Sequence, residues 1–136
     1  MANVFDVAKY ILNSVGGDIS TMKLQKLCYY SQAWSLAWGE TLFNEDFEAW
    51  SNGPVCRELF NIHKGKFYLT GRDIPNNLLT NLTNEEKYVI NKVIETYGKY
   101  SGSQLSELIH EETPWKNTEQ NQIINKEMMG DFYRSL

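Results

Sequence analysis

Residues 20–39 read STMKLQKLCYYSQAWSLAWG, and the reading of this stretch decides the fold. Ser20 is a good N-cap and Gly39 a good stop, so residues 21–38 are expected to form one helix of about five turns. Leu24, Leu27, Cys28, Ser31, Trp34 and Trp38 follow helical spacing on one side, and Met22, Tyr29, Ala33 and Leu36 cluster on the other. Only narrow polar strips remain, Lys23 with Lys26 and Gln25 with Gln32 and Ser35. A helix that is apolar on two faces belongs in the middle of a domain.

Upstream, Val4, Val7, Ala8, Ile11, Leu12 and Val15 give an amphipathic helix over 3–15, stopped by Gly16-Gly17 and joined to the central helix by a connection short enough to make the two neighbours. Downstream, residues 41–50 carry a polar turn between short runs containing rings and read as a small β-hairpin. Ser51-Asn52-Gly53-Pro54 is a cluster of turn residues. Pro54 suits the first position of a third helix, which would follow directly on Trp50, bury Val55, Leu59 and Ile62 with Cys56, Phe60 and His63, and end at Gly65.

Residues 66–82 lose all period and read as a loop packed by Phe67, Tyr68, Ile74 and Leu78. Thr83 and Glu86 form a capping box ahead of the stripe Val89, Ile90, Val93, Ile94 and Tyr97, closed by Gly98. A Ser101 or Ser103 cap opens a short helix burying Leu105, Leu108 and Ile109, which Pro114 forbids from continuing. A polar linker follows over 116–122. A last helix after Asn125 would bury Met128, Met129, Phe132 and Leu136, although Gly130 inside it costs about 1 kcal/mol relative to Ala. The expected fold is mainly α: one domain over 1–136, a bundle of five or six helices around a central buried helix, with one small β-hairpin.

A chain of 136 residues can bury one core without staples, and its 13% aromatic content is too high for a disordered chain. No apolar run approaches the ~18 residues that span a membrane, and the N-terminus lacks a basic region followed by an apolar core, so a cytoplasmic address is expected. Cys28 and Cys56 lack metal-ligand spacing with each other or with His63 and His110, and read as reduced, partly buried thiols. No metal and no cofactor are expected. The formal charge of −4 argues against nucleic acid as a partner. Lys9, Lys23 and Lys26 read as solvated helix faces.

The string MKLQKLCYYSQAW, followed by LFNEDFEAW and then GPV, resembles the Panacea antitoxin domain, the SocA-like and phage GepA-like family of small bacterial and prophage proteins. The resemblance continues through YGKYSGSQLSELIHEETPW and a weaker INKEMMGDFY segment, covering roughly Val4 to Tyr133. It implies an antitoxin that neutralises a cognate protein toxin by protein contact, either directly or, as in the SocA branch, by delivering it to a protease. Trp50, Gly53, Pro54 and Val55 match the family's Ala-Trp-x-x-Gly-Pro-Val signature, with Asn52 where an aromatic or His is frequent.

Each motif has two readings. The Trp50 to Pro54 corner is either a structural turn with Trp50 in the core or a recognition surface in which free helix amides and Trp50 meet a partner. His110-Glu111-Glu112-Thr113-Pro114-Trp115 is either a helix terminus favoured by the macrodipole or, through His110, Glu111 and Trp115, a second wall of the same groove. The candidate partner-binding residues are therefore Trp50, Asn52, Gly53, Pro54, His110, Glu111 and Trp115. Tyr29, Tyr30, Trp34 and Trp38, if not fully covered, would add an aromatic patch.

No catalytic residues are expected. Consecutive helical residues point about 100° apart, so Glu111 is poorly placed to orient His110, and no H-E-x-x-H, G-x-S-x-G or P-loop string occurs. A binding module is the reading that remains, with a DNA-binding or prophage regulatory protein as the alternative.

Overall fold

The computed structural model describes residues 1–136. In chain order the elements are α1 (Val4–Val15), β1 (Ile19–Ser20), α2 (Thr21–Ala37), β2 (Glu48–Trp50), β3 (Gly53–Val55), α3 (Arg57–His63), β4 (Tyr68–Leu69), α4 (Asn84–Tyr97), α5 (Gly102–His110), α6 (Thr113–Lys116) and α7 (Lys126–Arg134). The fold is mainly helical, with six longer helices and the single turn α6. Side-chain caps start the helices as their sequences require: Asn3, Thr83 and Ser101 close reciprocal capping boxes, and Ser20 and Asn125 accept from the amides of Lys23 and Met128.

The centre is α2, against which α1, α4, α5 and α7 all pack. Leu24, Leu27, Cys28, Tyr29, Tyr30 and Ala33 are wholly buried, and, contrary to expectation, the polar residues Gln25, Lys26, Gln32 and Ser35 are buried as well, with Lys23 half-buried. Gln25, Gln32 and Ser35 bind main chain. Gln32 donates to the Phe43 carbonyl and accepts from the Leu42 amide (2.8 Å), and Ser35 donates to the Glu40 carbonyl (2.8 Å). Gln25, two turns earlier on the same face, accepts from the Cys56 amide (2.9 Å) and donates to its carbonyl (3.1 Å). The strip is a template for residues 40–56, whose irregular backbone could not otherwise be buried.

That template moves the hairpin. Strand is absent from 41–47; β2 pairs with β3 in the register Glu48 to Val55, Ala49 to Pro54 and Trp50 to Gly53, with Ser51 and Asn52 at the turn. Pro54 is thus in a strand and does not start a helix: α3 begins at Arg57, its cap Cys56 makes no side-chain cap bond, and no helix terminus follows Trp50. The proline is tolerated because Ala49 bonds outward, donating to Gln122 O (2.9 Å) and accepting from Asn121 N (2.6 Å), so the missing Pro54 N–H is not called on. Residues 121–124, which take in the end of the expected polar linker, consequently lie along β2, with Ile124 N donating to Phe47 O (2.8 Å).

A second two-stranded sheet, not anticipated, pairs Ile19 with Leu69 and Ser20 with Tyr68. In the 66–82 loop Leu69 and Ile74 are buried, whereas Phe67 (82% exposed) and Tyr68 (64%) face solvent. Leu108 and Leu136 are also exposed, Met128 and Phe132 are half-buried, and Tyr133 takes the inward position on α7. Gly130 suits that interface: a Cβ there would come within 3.2 Å of the Leu36 carbonyl of α2. Cys28 and Cys56 are both free and buried. No helix is long and apolar enough to cross a membrane.

Candidate functional site

The corner between β2 and β3 exists because Gly53 adopts φ +125°, a conformation side chains rarely take, with the Lys26 Cε where a Cβ would sit 3.0 Å away. Two side chains from the α5–α6 region fix the corner's main chain. Trp115 donates from Nε1 to the Trp50 carbonyl (2.9 Å), and Ser106 donates from Oγ to the Asn52 carbonyl (2.8 Å). The His110 ring stacks on Trp115 with centroids 4.1 Å apart, and its Nε2 lies 3.4 Å from Ser106 Oγ. Pro114 in the first turn of α6 aims Trp115 back at the corner.

The two motifs, 55 or more residues apart in sequence, are therefore one structure. Trp50, His110 and Trp115 are half-buried and Asn52 and Glu111 exposed, while Gly53 and Pro54 are buried and shape the turn without presenting surface. The Trp50 ring lies edge-on to Phe60 (5.0 Å) and its Nε1 donates to Glu48 (3.0 Å). Arg57 also binds Glu48 (2.9 Å) and spans the Trp50 ring at 5.5 Å. Hydrogen bonds from Arg57 and then Trp50 hold the Glu48 carboxyl below its ordinary pKa.

The arrangement lacks the parts of a nucleophilic dyad. The Ser106 hydrogen goes to a carbonyl, the His110 contact is longer than an ordinary hydrogen bond, and no side chain orients the other ring nitrogen. Nor are three or more His, Cys, Asp or Glu side chains gathered as a metal set. What the corner offers is two large rings, an exposed amide and flanking charges on a rigid backbone.

Compared with known families, residues 24–116 match the model described as antitoxin SocA-like, Panacea domain. The chain belongs to this family. No curated protein and no solved structure matches it. A general antitoxin role is the coarse functional statement that membership in the Panacea family supports.

The matched span of this Panacea domain holds both motifs but excludes α1, residues 121–124 and α7. Sequence reasoning misplaced several residues, Lys26 and His63 inside that span and Lys9 and Lys23 ahead of it. Lys26 is only 2% exposed, and burial lowers its pKa to about 8. Lys9 and Lys23 are half-buried and donate to the carbonyls of Gly71 (2.7 Å) and Gly98 (2.6 Å). His63 is buried, its Nε2 accepting from Gln25 (3.0 Å), which places the ring proton on Nδ1; burial lowers its pKa.

Glu112, beside the named candidates, turns inward. Its Oε1 accepts from the hydroxyls of Tyr30 and Tyr133 (2.8 Å each), and burial raises its pKa against those two bonds. Tyr30 stacks on Tyr97 at 3.8 Å, and Tyr29 and Tyr30 are fully buried. The expected aromatic patch is therefore built differently: half-buried Trp34 and 53% exposed Trp38 of α2 join Tyr88 and Tyr97 of α4 around a cleft of about 370 Å³. Spacing on the central helix pointed to the two tryptophans; on α4, Tyr97 was marked only by its helical stripe and Tyr88 by nothing.

Proposed function

We propose that this Panacea domain neutralises a protein toxin by direct contact, without catalysis, through Trp50, Asn52, His110, Glu111 and Trp115. The observation that carries the reading is the union of the two motifs by the Trp115 to Trp50 hydrogen bond and the His110 to Trp115 stack. Large rings held rigid beside exposed polar groups lose little entropy on binding and have the composition of an interface hot spot. The formal charge of −4, on a chain whose Lys9, Lys23 and Lys26 are all tied down or buried, favours a protein partner over the DNA-regulator alternative.

The test is co-expression with the toxic product of the adjacent reading frame. Growth should recover with the wild-type chain and be lost again with Trp115→Ala or Asn52→Arg, each checked for a native near-ultraviolet circular dichroism spectrum. Toxin that persists as a co-purifying complex fits occupancy, whereas toxin that disappears only when a protease is present would mean adaptor function. Growth that never recovers, with both proteins expressed and folded, would overturn the reading.

A further inference from the structure

The far side of the same corner is a cleft of about 340 Å³ between α2, the hairpin and α3. Its walls include the Trp50 ring, Phe60, Val55 and Met22, and its rim carries the amides of Asn52 and Asn121. Lys26 lines it, with Nζ 3.5 Å from the position of a Cβ on Gly53. Lys26 is buried as a residue, yet its ammonium pairs with no carboxylate, and its one protein acceptor, the Met22 carbonyl, is 3.5 Å away, beyond an ordinary N–H···O bond. No Asp or Glu lines the cleft, and the other titratable group there, His63, is engaged by Gln25.

Buried cations are paired as a rule, because desolvation without a counter-charge is costly. Lys26 is an exception, and Gly53 leaves it room: a Cβ at position 53 would lie 3.0 Å from the Lys26 Cε, so the end of the lysine would have to shift. We propose that the cleft takes the carboxylate of an Asp or Glu side chain of the bound protein partner, its stem against the wall formed by Trp50 and Phe60 and its oxygens on Lys26 and the rim amides. This assignment rests on the toxin-binding reading and adds the chemistry by which the partner is chosen. A single cation in a net acidic chain suits a monovalent carboxylate on an apolar stem; phosphate groups, which carry more charge, are met by clusters of cations or by long helix N-termini, and the cleft has neither.

The probe is glutamate capped at both ends, N-acetyl-glutamate N-methylamide, titrated into the ¹⁵N-labelled full chain and followed by amide and indole resonances. The amides of Asn52 and Gly53 and the Trp50 indole should shift saturably in the millimolar range expected for one side chain out of context. Capped glutamine should leave them unmoved, and Lys26→Met should abolish the response to glutamate. Equal response to capped glutamine, no saturable shift with glutamate, or tighter binding of inorganic phosphate would each overturn the carboxylate assignment, and none of these requires the toxin or the variant to behave. Toxin rescue separates the two claims: rescue that survives Lys26→Met sinks the cleft as a partner site while leaving the antitoxin reading standing. Failure of the wild type to rescue sinks that reading and leaves the titration to decide the cleft.

Discussion

Lys26 shows how one residue can oppose the stability of its own fold. Its side chain leaves water against an apolar cleft, and burial alone takes its pKa from the ordinary 10.5 to about 8. Between those pH values the unfolded chain binds the proton and the folded chain does not, so stability rises with pH across that window and carries the full cost of the charge below pH 8. At about 1.4 kcal/mol per pH unit the cost is roughly 3 kcal/mol at neutral pH. Lys26→Met should therefore be more stable than wild type at pH 7 by about 1–3 kcal/mol, with the gain shrinking from pH 8 to 10 in urea titrations. A gain that stays constant over that range would mean that Lys26 is not charged and buried.

Glu112 makes the complementary case with the opposite charge. Burial raises its carboxyl pKa, so the group costs nothing where it is protonated and stability falls as pH rises through the folded value. Glu112→Gln keeps an acceptor for Tyr30 and Tyr133 and removes the charge, and should match or exceed wild-type stability at pH 7. Glu112→Ala strands the Tyr30 hydroxyl and leaves Tyr133 only the Tyr29 hydroxyl (3.2 Å), and should lose about 1–3 kcal/mol. Thermal melts of the two variants side by side check the difference.

At the scale of elements, the hairpin depends on a glutamine that lies outside it. β2 and β3 are three residues each, too short to persist alone, and β3 is held on α2 by the paired bonds of Gln25 to the Cys56 main chain. Gln25→Leu would leave the buried Cys56 amide unpaired, while the Cys56 carbonyl keeps its bond from the Phe60 amide (2.9 Å), and would remove the donor to the buried His63 ring. The expected cost is about 2–4 kcal/mol. The Cys56 amide should exchange with deuterium far faster than the amides of α4; protection equal to wild type would show that α3 packing alone positions the hairpin.

Over the whole molecule, the matched family span and the folded unit differ. The core is one cluster running from Val4 of α1 to Tyr133 of α7, and α7 is the most extensive neighbour of α2. Residues 121–124 also complete the hairpin on its outer side. A fragment limited to 24–116 loses Val4, Val7, Ile11, Leu12, Met129 and Tyr133 from that core, several side chains whose burial is worth about 1.5–3 kcal/mol each. Set against a total stability of about 5–15 kcal/mol, that loss is decisive, and the fragment should show helical far-ultraviolet but no near-ultraviolet circular dichroism. A cooperative melt of the fragment would refute this.

The sequence by itself determined α1, α2, α4, α5 and α7, because caps such as Ser20, Thr83 and Asn125 and the stripes behind them act within a few residues, where local hydrogen bonds and helical spacing suffice. It also marked the two motifs and the placement of α2 at the centre. Only the tertiary structure decided that the polar strips of α2 face inward, since a buried Gln25 or Gln32 looks like a solvated one until the backbone it binds is folded beside it. The displacement of the hairpin and the use of Pro54 in a strand go with that long-range pairing of helix side chains with main chain some ten to thirty residues away, and the joining of Trp115 to Trp50 and the burial of Lys26 are likewise contacts between residues far apart in sequence.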